Sequence, residues 1–173
     1  MDPNAPGPEV HYYMIRGSSE KRNITIWETG TVGSEYIKTY GHYHIGDLSE
    51  TYTVLNGEGI VLLQTRKINN GSPIDDEIET FKAIKVKSGD SVFIPSETGH
   101  VIVNIGKTWL VTADNGPVNF KETDPLKLPG HADYEPIKKL QGMAYYVVEE
   151  NGVPKLVKNQ NYKTVPQASI KEI

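Results

Sequence analysis

The chain contains no cysteine, so it can form neither disulfides nor a thiolate zinc site. It has no apolar run long enough to span a membrane and no signal-peptide core at its N-terminus. A cytoplasmic protein with no membrane partner is therefore expected. Basic stretches are also missing. The net charge is -4, which makes nucleic acid an unexpected partner. No internal repeat, heptad pattern or long helical periodicity is present. Asn23-Ile24-Thr25 and Asn70-Gly71-Ser72 match glycosylation sequons, but without a secretion signal they are read as accidental.

What is present is a series of short β-branched and aromatic runs cut by Gly, Asn and Pro. They fall at residues 10–15, 24–29, 34–39, 50–55, 59–65, 77–86, 91–94, 100–104 and 109–113. Asn56-Gly57 reads as a tight turn, residues 69–73 as a loop tip, and Asn151-Gly152 as the turn of a late hairpin. The 173 residues suffice for one domain with a real core. The expected fold is all-β, a single-domain jelly-roll β-barrel of two packed sheets. A flexible arm is expected over residues 1–9, the barrel over 10–158 and a tail over 159–173.

Three of the five histidines share a pattern with one carboxylate: His42-Tyr43-His44, then Glu50, then His100. On a strand, His42 and His44 project to one face while Tyr43 faces the other way. A loop over residues 45–49 would let Glu50 begin a neighbouring strand, with Tyr52 and Val54 on its face. The strand opened by His100 would then lie opposite this pair. Imidazoles and a carboxylate form a ligand set for a divalent transition metal with open positions. Fe, Ni, Mn and Zn all suit it. His11 stands outside the pattern and reads as an ordinary strand or surface histidine.

Both segments resemble the paired motifs of the cupin superfamily. Glu50 is followed after six residues by Gly57, and Gly89, Pro95, His100 and Asn104 fit the second motif position for position. Glu97 stands where that motif usually has glycine. A closer resemblance runs through residues 36–44, Glu50-x-Tyr52, residues 57–65, residues 94–106 and Val147-Val148-Glu149-Glu150-Asn151-Gly152. These look like the cupin-type, archaeal-type phosphoglucose isomerases, over most of the chain from Val10 onward.

That resemblance implies a cupin barrel (double-stranded β-helix) in a homodimer that interconverts glucose 6-phosphate and fructose 6-phosphate with one divalent transition metal. It implies His42, His44, Glu50 and His100 as metal ligands. It also implies Thr25, Thr39 and Gly41 at the hexose 6-phosphate's phosphate, with Tyr52 and Tyr12 in the pocket. Glu50, His131 and Tyr52 are the expected catalytic residues, and Tyr134 an expected substrate contact. The family's Gly-His-Asp-Tyr segment here reads Gly130-His131-Ala132-Asp133-Tyr134, with Ala132 inserted. The chain also begins nearer its first motif than such proteins commonly do. A related sugar-phosphate isomerase or epimerase, for example acting on mannose 6-phosphate, and a non-catalytic sugar-phosphate-binding cupin are the alternative readings.

Overall fold

Alternating side chains dictate two facing sheets, and the computed structural model, which describes residues 4–17, 23–117 and 131–173, forms them. The first sheet joins β1 (Tyr12–Ile15), β2 (Asn23–Trp27), β11 (Leu110–Asp114), β6 (Glu50–Asn56) and β9 (Ser91–Ile94) in that order. The second joins β10 (Gly99–Asn104), β7 (Glu58–Asn69), β8 (Ser72–Lys87) and β15 (Ile170–Glu172). A smaller sheet of β14 (Val153–Lys158), β13 (Tyr145–Glu150), β4 (Glu35–Tyr36) and β3 (Thr31–Val32) covers the outside. A two-stranded ribbon pairs β12 (Ala132–Asp133) with β5 (Tyr43–His44). Among the described residues the one helix is α1 (Glu135–Lys139). The described chain is an all-β barrel of two facing sheets.

The pattern of β7 explains its place. Val61 and Leu63 point into the barrel with Trp27, Val54, Ile94, Ile102 and Leu110. Ile60 and Leu62 point outward, under Tyr36, Val103, Ile137, Met143 and Val147. A strand buried on both faces reads as a continuous apolar run rather than an alternating one. The same holds for β10, all six of whose residues are buried. Residues 159–173 also pack on the barrel: Tyr162 joins Ile78 and Ala144 in a third cluster, and Ile170–Glu172 runs parallel to β8.

Turn chemistry is partly as expected. Asn70 and Gly71 both have positive φ and close the long β7–β8 hairpin, and Asn151 and Gly152 do the same for β13–β14. Asn56-Gly57 does not make a hairpin. β6 pairs with β9 and β11 while β7 pairs with β8 and β10, so this dipeptide carries the chain from one sheet to the other. Gly57 has φ 83, and a Cβ there would lie 2.7 Å from Trp109 O, so backbone crowding at the crossing demands glycine. The expected strand over 34–39 is mostly irregular: Glu35 and Tyr36 ladder with their neighbours, and Lys38 makes a single bridge to Val103.

Glu97, in the loop that leads into His100, has φ 57 and is exposed. A side chain in the left-handed region costs about 1–2 kcal/mol, of which glycine's greater freedom in the unfolded chain cancels roughly half. Glu97→Gly is therefore expected to raise stability by up to about 1 kcal/mol, read as a higher midpoint in thermal or urea unfolding. A lowered midpoint would show that the Glu97 side chain stabilises the loop.

Candidate metal centre and cavity

His42 and His100 meet by a direct backbone bridge between their strands: His42 N donates to His100 O at 3.2 Å and His100 N to His42 O at 2.9 Å. Gly41 makes this approach possible. Its φ is 83, and a Cβ would meet His100 O at 3.2 Å and Val101 Cβ at 3.3 Å. Glu50 comes from the other sheet. The expected antiparallel pairing of the His42–His44 segment with the Glu50 strand does not occur, because β5 pairs with β12, and β6 with β9 and β11. The imidazoles and the carboxylate thus face one another across the barrel. Tyr43 points away from them, as the alternation requires. It is buried under Gly99, whose Cβ would lie 2.5 Å from the Tyr43 ring.

The donor atoms of His42, His44, Glu50 and His100 all lie within 4.8 Å of one another, the scale of one coordination shell. Glu50 and His100 are buried at the base, whereas His42 and His44 are partly exposed. His100 Nδ1 lies 2.9 Å from the carbonyl oxygen of Thr98. A carbonyl only accepts, so Nδ1 carries a proton, and the tautomer this selects has its lone pair at Nε2. That nitrogen sits 2.6 Å from Glu50 Oε1, and His44 Nε2 is 3.1 Å from the same oxygen. Glu50 Oε1 and His100 Nε2 nevertheless form no well-directed hydrogen bond.

Two lone pairs at this distance need a positive centre between them, a proton or a metal ion. His42 resists taking up a proton: burial, then His100 and His44, push its pKa well below its ordinary 6.5. Burial raises that of Glu50, but His100 and His44 outweigh it and hold the carboxyl far below the usual range. A divalent metal takes its imidazole ligands neutral and its carboxylate ionised. The residues fit such an ion.

His42, His44 and Glu50 form part of the wall of a cavity of about 310 Å³, and His100 lies fully buried beside them. Tyr12, Thr25, Thr39, Tyr52, His131 and Tyr134 line it too. Ala132, the inserted residue, pairs with His44 in β12, and His131 and Tyr134 on either side of this ribbon both reach the cavity. Gly41 contributes backbone behind the ligands rather than wall. The unusual stretch over 116–121 and Gly130 fall largely outside the described residues. Asn104 of the second motif is a positioning residue for the β10–β11 turn: its amide donates to Glu28 O at 2.9 Å and Thr108 O at 3.0 Å, and it accepts from Gly106 N.

Several wall residues were not anticipated: Met14, Arg16, Asn23, Trp27, Thr112 and Asp114. The two-residue period would have found most of them. Counting from Tyr12 gives Met14 and Arg16, and counting from Thr25 gives Asn23 and Trp27. Asp114 accepts from Asn23 Nδ2 at 2.7 Å and from Gly116 N at 3.0 Å. Burial raises its pKa, and these hydrogen bonds offset part of the rise.

Comparison with known proteins follows the same line. A family model described as glucose-6-phosphate isomerase matches residues 13–167. The chain belongs to the glucose-6-phosphate isomerase family. The glucose-6-phosphate isomerase of Pyrococcus furiosus is 35% identical over 140 residues, covering 80% of this chain and 62% of that protein. That of Thermococcus onnurineus is 33% identical with the same coverage. The chain thus spans less than two thirds of the length of these relatives. An oxalate oxidase in complex with glycolate has a TM-score of 0.42 at 16% identity, covering 60% of this chain and 48% of its own. That likeness is too slight to bear on function.

The strand that carries His44 rests on Tyr43, whose hydroxyl accepts from Gln64 Nε2 at 3.0 Å. The Arg66 guanidinium lies 4.0 Å from its ring centre. Burial pushes the Tyr43 pKa up from 10.0 to about 12. A folded pKa above the unfolded one gives stability that is complete below pH 10 and lost as pH rises toward 12. Two units correspond to about 2–3 kcal/mol. Unfolding midpoints measured from pH 9 to pH 12 should fall over this window, and less steeply in Tyr43→Phe. Equal slopes in the two proteins would contradict the assignment to Tyr43.

Proposed function

We propose that this chain is a metal-dependent aldose–ketose isomerase that interconverts glucose 6-phosphate and fructose 6-phosphate. One observation carries the reading. Four metal-type donors cluster together, and three of them, His42, His44 and Glu50, line a cavity whose walls also supply hydroxyls, an imidazole and phenols. Family membership and the named activity of its relatives support it. His42, His44, Glu50 and His100 would hold the ion. A divalent Fe, Ni, Mn or Zn bound there supplies electrostatic stabilisation of oxyanion charge at O1 and O2.

The chain's own residues then have separate roles. Glu50, which lines the cavity, serves as base for a proton moving between C1 and C2. A hydride route would use the same placement without that step. Burial, followed by the charges of Glu50 and Asp114, raises the Tyr52 pKa far above 10.0. Its phenol therefore keeps its proton and donates to a sugar oxygen. His131 assists ring opening by exchanging a proton at O5 or O1, and Tyr134 orients the sugar beside His42, 5.3 Å from it ring to ring. Thr25 and Thr39 donate hydroxyls to the phosphate, with Gly41 shaping the backbone nearby. We read the protein as a cytoplasmic homodimer. The exposed Tyr13, Ile15 and Trp109 beside the β1 edge support a second copy.

A coupled assay from fructose 6-phosphate to glucose 6-phosphate tests the reading. Turnover should need metal, vanish with chelator, and be lost in His100→Ala. His131→Ala should lower kcat about 100-fold or more while substrate still binds. A protein with stoichiometric metal and no turnover would sink the isomerase reading.

A further inference from the structure

We propose that Arg16 supplies the positive charge that binds the substrate's 6-phosphate; this rests on the sugar-phosphate reading above. Among the described residues it is the only lysine or arginine lining the cavity. Among the described residues it has no ion-pair partner: its guanidinium folds back over Met14 of the same wall, with Nη2 3.8 Å from Sδ. Lys38, next to Thr39 in sequence, does not line the cavity and is paired with Glu35 at 3.2 Å.

The wall needs such a charge. Glu50 and Asp114 both face the cavity, so a phosphate dianion entering it meets two carboxylates. A divalent ion at the four donors lies at the opposite end of the sugar from the phosphate. Threonine hydroxyls donate hydrogen bonds but carry no charge.

The register places Arg16 suitably. Asn23 pairs with Asp114, and Asp114 with Tyr52, across the inner face of the first sheet. Arg16 continues this row one residue beyond the Ile15–Ile24 pair. Thr25 sits in the adjacent row, opposite Met14 and Thr112. Three strand spacings separate Arg16 from Tyr52, roughly 14 Å between Cα atoms. All four residues of this row line the cavity, with Arg16 at one end and Tyr52 at the other. The guanidinium fork suits phosphate oxygens better than an ammonium. The field of Arg16 also reaches His42, Tyr52, Asp114 and Tyr134, consistent with a position over the cavity.

The test compares Arg16→Gln and Arg16→Lys with the unaltered chain, each loaded with metal. Two readouts are used: steady-state kinetics with fructose 6-phosphate, and calorimetric titration with inorganic phosphate. Arg16→Gln should raise KM about 10–100-fold, with a much smaller change in kcat, and weaken phosphate binding to match. Arg16→Lys should recover part of both. Unchanged KM and phosphate affinity in Arg16→Gln, with normal turnover, would overturn the proposal and leave the isomerase reading intact. Phosphate binding that depends on Arg16 in a protein without turnover would do the reverse. A chain that neither turns over nor binds phosphate would overturn both.

Discussion

The buried contact between His100 Nε2 and Glu50 Oε1, 2.6 Å apart, organises this molecule. Thr98 O fixes the proton on the far side of the imidazole, so the near nitrogen can answer the carboxylate only through a cation. Burying an ionised carboxylate without compensation is costly. His42, its basicity suppressed by burial, is a poor source of that compensation by protonation. An ion held by the four donors resolves the conflict.

Two sheets must be held in fixed relation for this contact to exist. His100 and His42 belong to one side of the barrel and Glu50 to the other. The apolar core between them, Trp27, Val54, Val61, Ile94, Ile102 and Leu110, sets the spacing. A second core behind β10 and β7 keeps the ligand strand from retreating. Tyr43, Gln64 and Tyr162 form its polar part: the Gln64 amide donates to both phenols, and its oxygen accepts from Ala144 N. The site is therefore clamped from behind and open in front, where His42, His44 and the β12 ribbon border the cavity.

Much of this was legible in the residues. The spacing of His42, His44, Glu50 and His100 picked out the four donors, because alternation on strands is a local rule. Strand positions followed from β-branched runs and turn dipeptides. Pairing was less legible, since it is set by contacts between distant segments. Asn56-Gly57 has the composition of a hairpin turn, yet the core on either side of it sends the chain across to the other sheet. The neighbour of His44 is Ala132, some ninety residues later, which no local pattern reveals. Arg16 escaped notice because an exposed arginine after a short strand has an ordinary surface reading. Its meaning depends on Asn23, Asp114 and Tyr52 lying in one row.

The central claim is that one divalent metal ion occupies the four donors. Anomalous diffraction at the edge of the reconstituted metal measures it directly. One strong peak per chain, within bonding distance of His42, His44, His100 and Glu50 and absent in Glu50→Gln crystals, is the predicted result. Metal-soaked crystals with no peak there, or with the ion held elsewhere, would contradict the account.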